Sequence, residues 1–192
     1  MKKVAVIGSG SWGTALSTLL ASTSDEVIVW SREADVAESI NKEHVNCRHL
    51  SDSELPHNIV STTSEAEALT GVDAVVMAAP SAFLRSVCAA CAPYLDPEVD
   101  VLILSKGMEA GSHKLMHEVA ADELGNPARI AVLSGPNHAE EVIKQGISAA
   151  VVASEDAEVA KRFQTLLSRS YFRTYVSSDV RGVEACAAAK NV

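Results

Sequence analysis

The opening of the chain constrains it most. Residues 1–13 read MKKVAVIGSGSWG, and a short apolar run (Val4, Ala5, Val6, Ile7) leads into Gly8, Gly10 and Gly13. A helical pattern starts at once with Thr14, Ala15 and Leu16. Strand, glycine turn and helix in that order give the G-x-G-x-x-G spacing its meaning as a dinucleotide cradle. Gly8 permits the tight turn, Gly10 lets the backbone approach a pyrophosphate, and Gly13 lets the helix pack close to the strand. The helix start then offers unpaired N–H groups and a positive dipole end to phosphate.

The same alternation continues downstream. Strands are predicted at 26–30, 59–62, 73–78, 100–104, 129–133, 148–153 and 171–176. Helices are predicted at 14–22, 33–42, 64–69, 82–92 (with Ser81 as its cap), 112–124, 138–145, 157–168 and 179–192. Strands alternating with helices imply an α/β chain, a doubly wound and mostly parallel Rossmann-type sheet with helices on both faces. Residues 185–192, ACAAAKNV, stop in mid-pattern without a glycine or proline signal, so the chain reads as cut short.

Bulk properties exclude several classes. At 192 residues the chain holds one good core, or one domain and part of another. A formal net charge of −9 argues against nucleic acid or an anionic membrane as partner. The apolar run behind Met1-Lys2-Lys3 ends at Gly8, and 74–79 is too short to span a bilayer, so no leader or membrane segment is expected. Cysteines at 47, 88, 91 and 186 form no secreted disulfide framework, which points to a reducing cytoplasm. Cys88 and Cys91 read as packed thiols, and His113 and His117 as a solvated helix face; no metal site is expected.

Ligand sites in such sheets lie off the carboxyl ends of the strands. That edge gathers Gly8–Gly13, Ser31-Arg32, Pro80-Ser81, Ser105-Lys106-Gly107 and Ser134-Gly135-Pro136. Glycines, hydroxyls and two cations suit an anionic dinucleotide. Arg32 could pair with a 2′-phosphate, which favours NADP; Glu33, the first acid after the strand, could serve the 2′-OH of NAD. Lys106 could reach a substrate oxygen as a point charge or be a surface lysine. Lys190 is the one charge in 185–192, either a desolvated proton-transfer group or an exposed terminal side chain. His138 beside Gly135-Pro136 is left open as a cleft residue.

Taken together, GSGSWGTAL (8–16), VWSRE (29–33), LP (55–56), AAPS (78–81), SKGME (105–109), LSGPNHAEEV (133–142) and GVEACAAAKNV (182–192) resemble the bacterial NAD(P)-dependent glycerol-3-phosphate dehydrogenases. That family interconverts sn-glycerol 3-phosphate and dihydroxyacetone phosphate by hydride transfer and feeds phospholipid synthesis. The resemblance implies dinucleotide contacts at Ser11, Trp12, Arg32, Lys106 and Ala139, with Pro80 in the same groove. It implies substrate contacts at Lys106, Gly135 and Asn137, with Lys190 as the proton-transferring residue. Asn137 stands where many members have Ser, and Cys186-Ala187 where many have a glycine pair; hydrogen bonding and small size are kept. Members continue into an all-helical domain that grips the substrate phosphate. Residues 1–178 would then be the NAD(P)-binding domain and 179–192 the start of the helical one, so this chain should bind cofactor but turn over little alone. The alternatives are a related 6-phosphogluconate-like hydroxyacid dehydrogenase, a non-catalytic NAD(P)-binding sensor module or a structural partner-binding domain. A homodimer is left open.

Overall fold

The first strand, β1 (Lys3–Ile7), is buried on both faces, and its alternation sorts the core into two layers. The computed structural model describes residues 1–189. Val4 and Val6 join one layer with α1 (Ser11–Ala21), α2 (Ala34–Glu43), α6 (Ala139–Ile143) and α7 (Ala157–Leu167). Ala5 and Ile7 join the other with α3 (Glu65–Leu69), α4 (Leu84–Cys91), α5 (Met116–Leu124) and α8 (Val180–Ala189). Between them lies one sheet, ordered β3-β2-β1-β4-β5-β6-β7-β8. Its other strands are β2 (Glu26–Trp30), β3 (Ile59–Thr62), β4 (Ala74–Met77), β5 (Asp100–Ile103), β6 (Ile130–Ser134), β7 (Ser148–Ser154) and β8 (Phe172–Ser177). The strand order reverses between β1 and β4, which opens a crevice at the carboxyl edge.

The local sequence explains these elements. β4 and β5 are fully buried apolar runs, as a strand covered on both faces requires. α3 is capped by Ser64 and α7 by Asp156, whose side chains accept from Glu67 N–H and Glu158 N–H. α7 buries Val159, Phe163, Leu166 and Leu167 on one stripe. Cys88 and Cys91 pack in the second layer, where burial pushes both thiols up to about 12 and leaves them inert.

The mostly parallel sheet expected from the sequence is found: it is parallel from β3 to β6, β7 runs antiparallel to β6, and β8 follows β7 in parallel. The cause is the length of α6. Five helical residues rise roughly 7.5 Å, while a five-residue strand covers about 16 Å. α6 therefore cannot return the chain to the amino edge, and β7 starts where β6 ends. Local expectations need correction. Ser81 caps nothing: Ser81–Phe83 form a 3₁₀ turn closed by Phe83 N–H on Pro80 O at 2.9 Å. α5 starts at Met116 and not near 112. Residues before it turn back, with Met108 bridging Leu115 and Glu109 N–H donating to Lys114 O at 2.9 Å. His113, at φ 57°, lies in that turn. His117 is half-buried against Glu184 of α8, so the two histidines share no solvated helix face. α1, in turn, begins at Ser11, three residues earlier than expected.

Candidate functional site: a groove across the glycine turn

Each glycine of the turn meets a different constraint. Gly8 sits at φ +119° and donates its N–H to Trp30 O at 3.1 Å, and a Cβ there would lie 3.1 Å from the Ala78 carbonyl. A Cβ on Gly13 would fall 1.9 Å from Gly8 O, so α1 crosses the turn only because residue 13 has none. Gly10 is the opposite case: nothing lies within 4 Å of its Cβ position. It caps α1 through its carbonyl, which accepts from Thr14 N–H at 2.9 Å. α1 has no acid in its first turn and no side-chain cap, so its positive end is uncompensated.

A groove runs across this turn in two stretches. The outer one, about 330 Å³, is lined by Gly8, Gly10, Trp30, Arg32, Glu33, His49, Pro80 and Phe83. The inner one, about 470 Å³, continues past Gly10 along Ser11, Trp12, Pro80, Ser81, Ser105 and Lys106. The cradle residues thus suit an extended ligand with a phosphate in the middle: open space over Gly10 and an anion-seeking helix end beneath it.

The ends differ in electrostatics. Arg32 donates from Nε and Nη2 to Glu33 Oε1 at 3.0 and 2.8 Å, and the Arg32 hydrogen bond lowers the Glu33 pKa. At the other end Lys106 is half-buried. Its Nζ donates to Gly135 O at 3.0 Å and lies 6.0 Å from the centroid of the Trp12 ring. Lys106, Trp12 and Gly135, separate in sequence, therefore meet. Gly135 is tightly enclosed, since a Cβ would lie 2.6 Å from Ala149 O and 2.8 Å from Asn137 Nδ2. Asn137 and Ala139 are buried, Ala139 among core side chains beneath α1; His138 is exposed at the N-cap of α6. Lys190 lies outside the described residues.

The segment behind Lys106 is anchored from below. Arg85 of α4 donates to Glu109 Oε1 at 2.7 Å and also reaches Asp122 and Glu123 of α5. The Arg85 guanidinium, with the Ser112 hydroxyl, holds the Glu109 carboxyl at about 2. Sequence reasoning missed this anchor, because nothing local marks Arg85 and Glu109 as partners. It also missed Asn46, fully buried in the loop after α2 and bonded to the glycine turn. A lone asparagine in a loop carries no pattern that would have identified it.

Among the described residues no helix is long and apolar enough to cross a membrane, and no group of three His, Cys, Asp or Glu side chains could hold a metal ion. Comparison with known proteins identifies relatives of the chain. The chain is 47% identical over 191 residues to a glycerol-3-phosphate dehydrogenase [NAD(P)+] of Streptomyces griseus, covering 99% of this chain and 57% of that protein. A Streptococcus gordonii protein of the same description is 43% identical over 193 residues, covering 100% of this chain and 57% of its own length. The crystal structure of the Coxiella burnetii glycerol-3-phosphate dehydrogenase superposes with a TM-score of 0.89 at 34% identity, over 97% of this chain and 57% of that one. The chain thus spans a little over half the length of the relatives it matches. The family described as NAD-dependent glycerol-3-phosphate dehydrogenase N-terminus matches residues 3–160, glycine turn, groove and Lys106 included, and this chain belongs to it.

Proposed function

We propose that the chain is the cofactor-binding part of an oxidoreductase that interconverts sn-glycerol 3-phosphate and dihydroxyacetone phosphate with NADP or NAD, NADP being favoured. The observation that carries this reading is the groove running from Arg32, over the open start of α1, to Lys106. A bound nicotinamide supplies the hydride acceptor for the alcohol and the donor for the ketone, and the chain's residues supply position and charge.

In this reading the turn from Gly8 to Gly13, with Ser11 and Trp12, holds the pyrophosphate on first-turn N–H groups, and Pro80 floors the groove. Arg32 pairs with a 2′-phosphate. Its present partner is the half-buried neighbour Glu33, while Arg32 itself is exposed, and surface pairs of this kind contribute only about 0–1 kcal/mol, so a dianionic phosphate outcompetes the carboxylate. Glu33 takes the ribose 2′-OH when NAD is used. Lys106 stabilises the negative charge on the C2 oxygen, helped by its desolvated position over Trp12. Lys190 takes the C2 hydroxyl proton in one direction and returns it in the other. Gly135 and Asn137 hold the substrate, and Ala139 supports the cofactor side of that wall. Residues 1–178 form the cofactor domain. Residues 179–192 lead into a helical substrate domain, with α8 drawn onto the sheet face by Glu184, which accepts from His117 N–H at 3.1 Å. The unpaired cysteines fit a cytoplasmic setting.

Titration with NADPH and NADH, read by energy transfer from Trp12 and Trp30 to the reduced nicotinamide, tests the reading. NADPH should bind more tightly, with little reduction of dihydroxyacetone phosphate by the 192-residue chain. Equal binding would shift the ribose contact to Glu33. Absence of binding by either cofactor would overturn the assignment of the groove.

A further inference from the structure

Asn46 has no exposed surface, yet it is a polar residue in a connecting loop. Both halves of its amide are used. Its Nδ2 donates to Ser9 O at 2.7 Å and Thr14 Oγ1 at 2.8 Å. Its Oδ1 accepts from Arg48 N–H at 3.1 Å and His49 N–H at 3.0 Å. Thr14 Oγ1 itself donates to Ser9 O at 3.2 Å, which closes a three-membered network around one carbonyl.

That carbonyl lies between Gly8 and Gly10. Two glycines in three residues leave the turn little intrinsic preference for one conformation. Ser9 O accepts both side-chain donors, and orienting it fixes the Ser9–Gly10 peptide plane on which the start of α1 follows. We propose that Asn46 is the positioning residue of the dinucleotide turn. It holds Ser9 O so that the start of α1 faces the groove, and through its other half it sets His49 at the groove's outer lip. This inference rests on the reading of the groove as a dinucleotide site.

The geometry separates this role from generic stabilisation. Asn41 serves as an internal control: it makes a comparable pair of bonds, Nδ2 to Ser61 O and Oδ1 from Ser61 N–H, both 2.8 Å, on β3, two strands from the β1 that leads into the turn. Asn46→Asp keeps shape and the acceptor for Arg48 and His49 but loses both donors to the turn. Asn46→Ala loses all four bonds, and Thr14→Val removes one partner.

The experiment measures amide hydrogen exchange in the unliganded chain at Gly8 and Thr14, whose N–H groups close the turn on Trp30 O and Gly10 O. It adds Kd for NADPH and for NADH, and the melting temperature. Asn46→Asp should speed exchange at both amides and weaken both cofactors about tenfold, by loss of buried hydrogen bonds. The NADPH-to-NADH ratio should stay unchanged, since the pyrophosphate is common to both. Asn41→Ala should lower the melting temperature without either effect, and Thr14→Val should be non-additive with Asn46→Ala. Unchanged exchange in Asn46→Asp, or the same effects in Asn41→Ala, would overturn the proposal. If the unsubstituted chain binds neither cofactor, the functional reading fails, and exchange at Gly8 and Thr14 still decides whether Asn46 sets the turn.

Discussion

The two ends of the groove are built on different plans. At the outer end, charge is carried by adjacent side chains: Arg32, 75% exposed, and Glu33 satisfy each other in solvent. At the inner end Lys106 is half-buried, fixed to a main-chain oxygen and an indole face, and its segment is tied through Glu109 to Arg85. A surface pair is readily exchanged for another partner, whereas a half-buried, multiply held cation keeps its place without reorganisation. On the proposed reading, the outer end is therefore where cofactor preference is adjusted, and the inner end is where a positive charge is held in place.

Substitutions can break or sharpen that contrast. The largest effect is expected at the inner end. In a chain carrying the remaining length of its relatives, Lys106→Met should lower kcat about 10²–10³-fold with a smaller change in cofactor affinity, as for other charge-stabilising groups; steady-state kinetics check it. Between the ends, Gly13→Ala forces a Cβ to 1.9 Å from Gly8 O, whereas Gly10→Ala meets nothing. The first should lose about 1–3 kcal/mol of stability, in line with overpacking. The second should melt normally and lose only dinucleotide binding. Thermal melts and cofactor titration on both variants separate packing from recognition.

At the outer end Arg32→Ala should weaken NADPH about tenfold, the scale of one charge-assisted contact, and leave NADH nearly unchanged. An equal loss for both would show that the outer end is not a 2′-phosphate site. The smallest effect concerns the anchor behind Lys106. Glu109 is held at about 2 against an ordinary 4.5, so its contribution to stability is complete above pH 4.5 and is lost as the pH falls from there through 2. Glu109→Gln should remove that part of the acid sensitivity. Melting temperature followed from pH 6 to pH 2, wild type against variant, reads it, and superimposable curves would show the anchor to be inconsequential.

Much of the sheet could be read from sequence because burial on both faces writes itself as continuous apolar runs: β1, β4 and β5 fell where the runs fall. The glycine turn was legible for the same reason, since each glycine answers a separate steric demand. What escaped depends on partners distant in the chain. The reversal of β7 follows from the length of α6, which is a helix end set by tertiary packing. Turn residues before Met116 looked helical by spacing, but the Met108–Leu115 bridge and the pull of Arg85 on Glu109 hold them otherwise. Lys106 was visible as a cation at a strand end, but its seat on Gly135 O was not. Asn46 could not be found at all without the burial that surrounds it.

The reversal at β7 carries one more consequence. Because β7 begins where β6 ends, the atom that would lie nearest a Cβ at Gly135 comes from the neighbouring strand, and it is the main-chain oxygen of Ala149. No change of side chain at position 149 can make room for a larger residue at 135. Neighbouring strands here share a constraint that a side-chain change at 149 does not relax, and room at 135 depends on the number of residues between α6 and β7. A change in length at 144–147 is thus the kind of change that would move the Ala149 carbonyl away from Gly135.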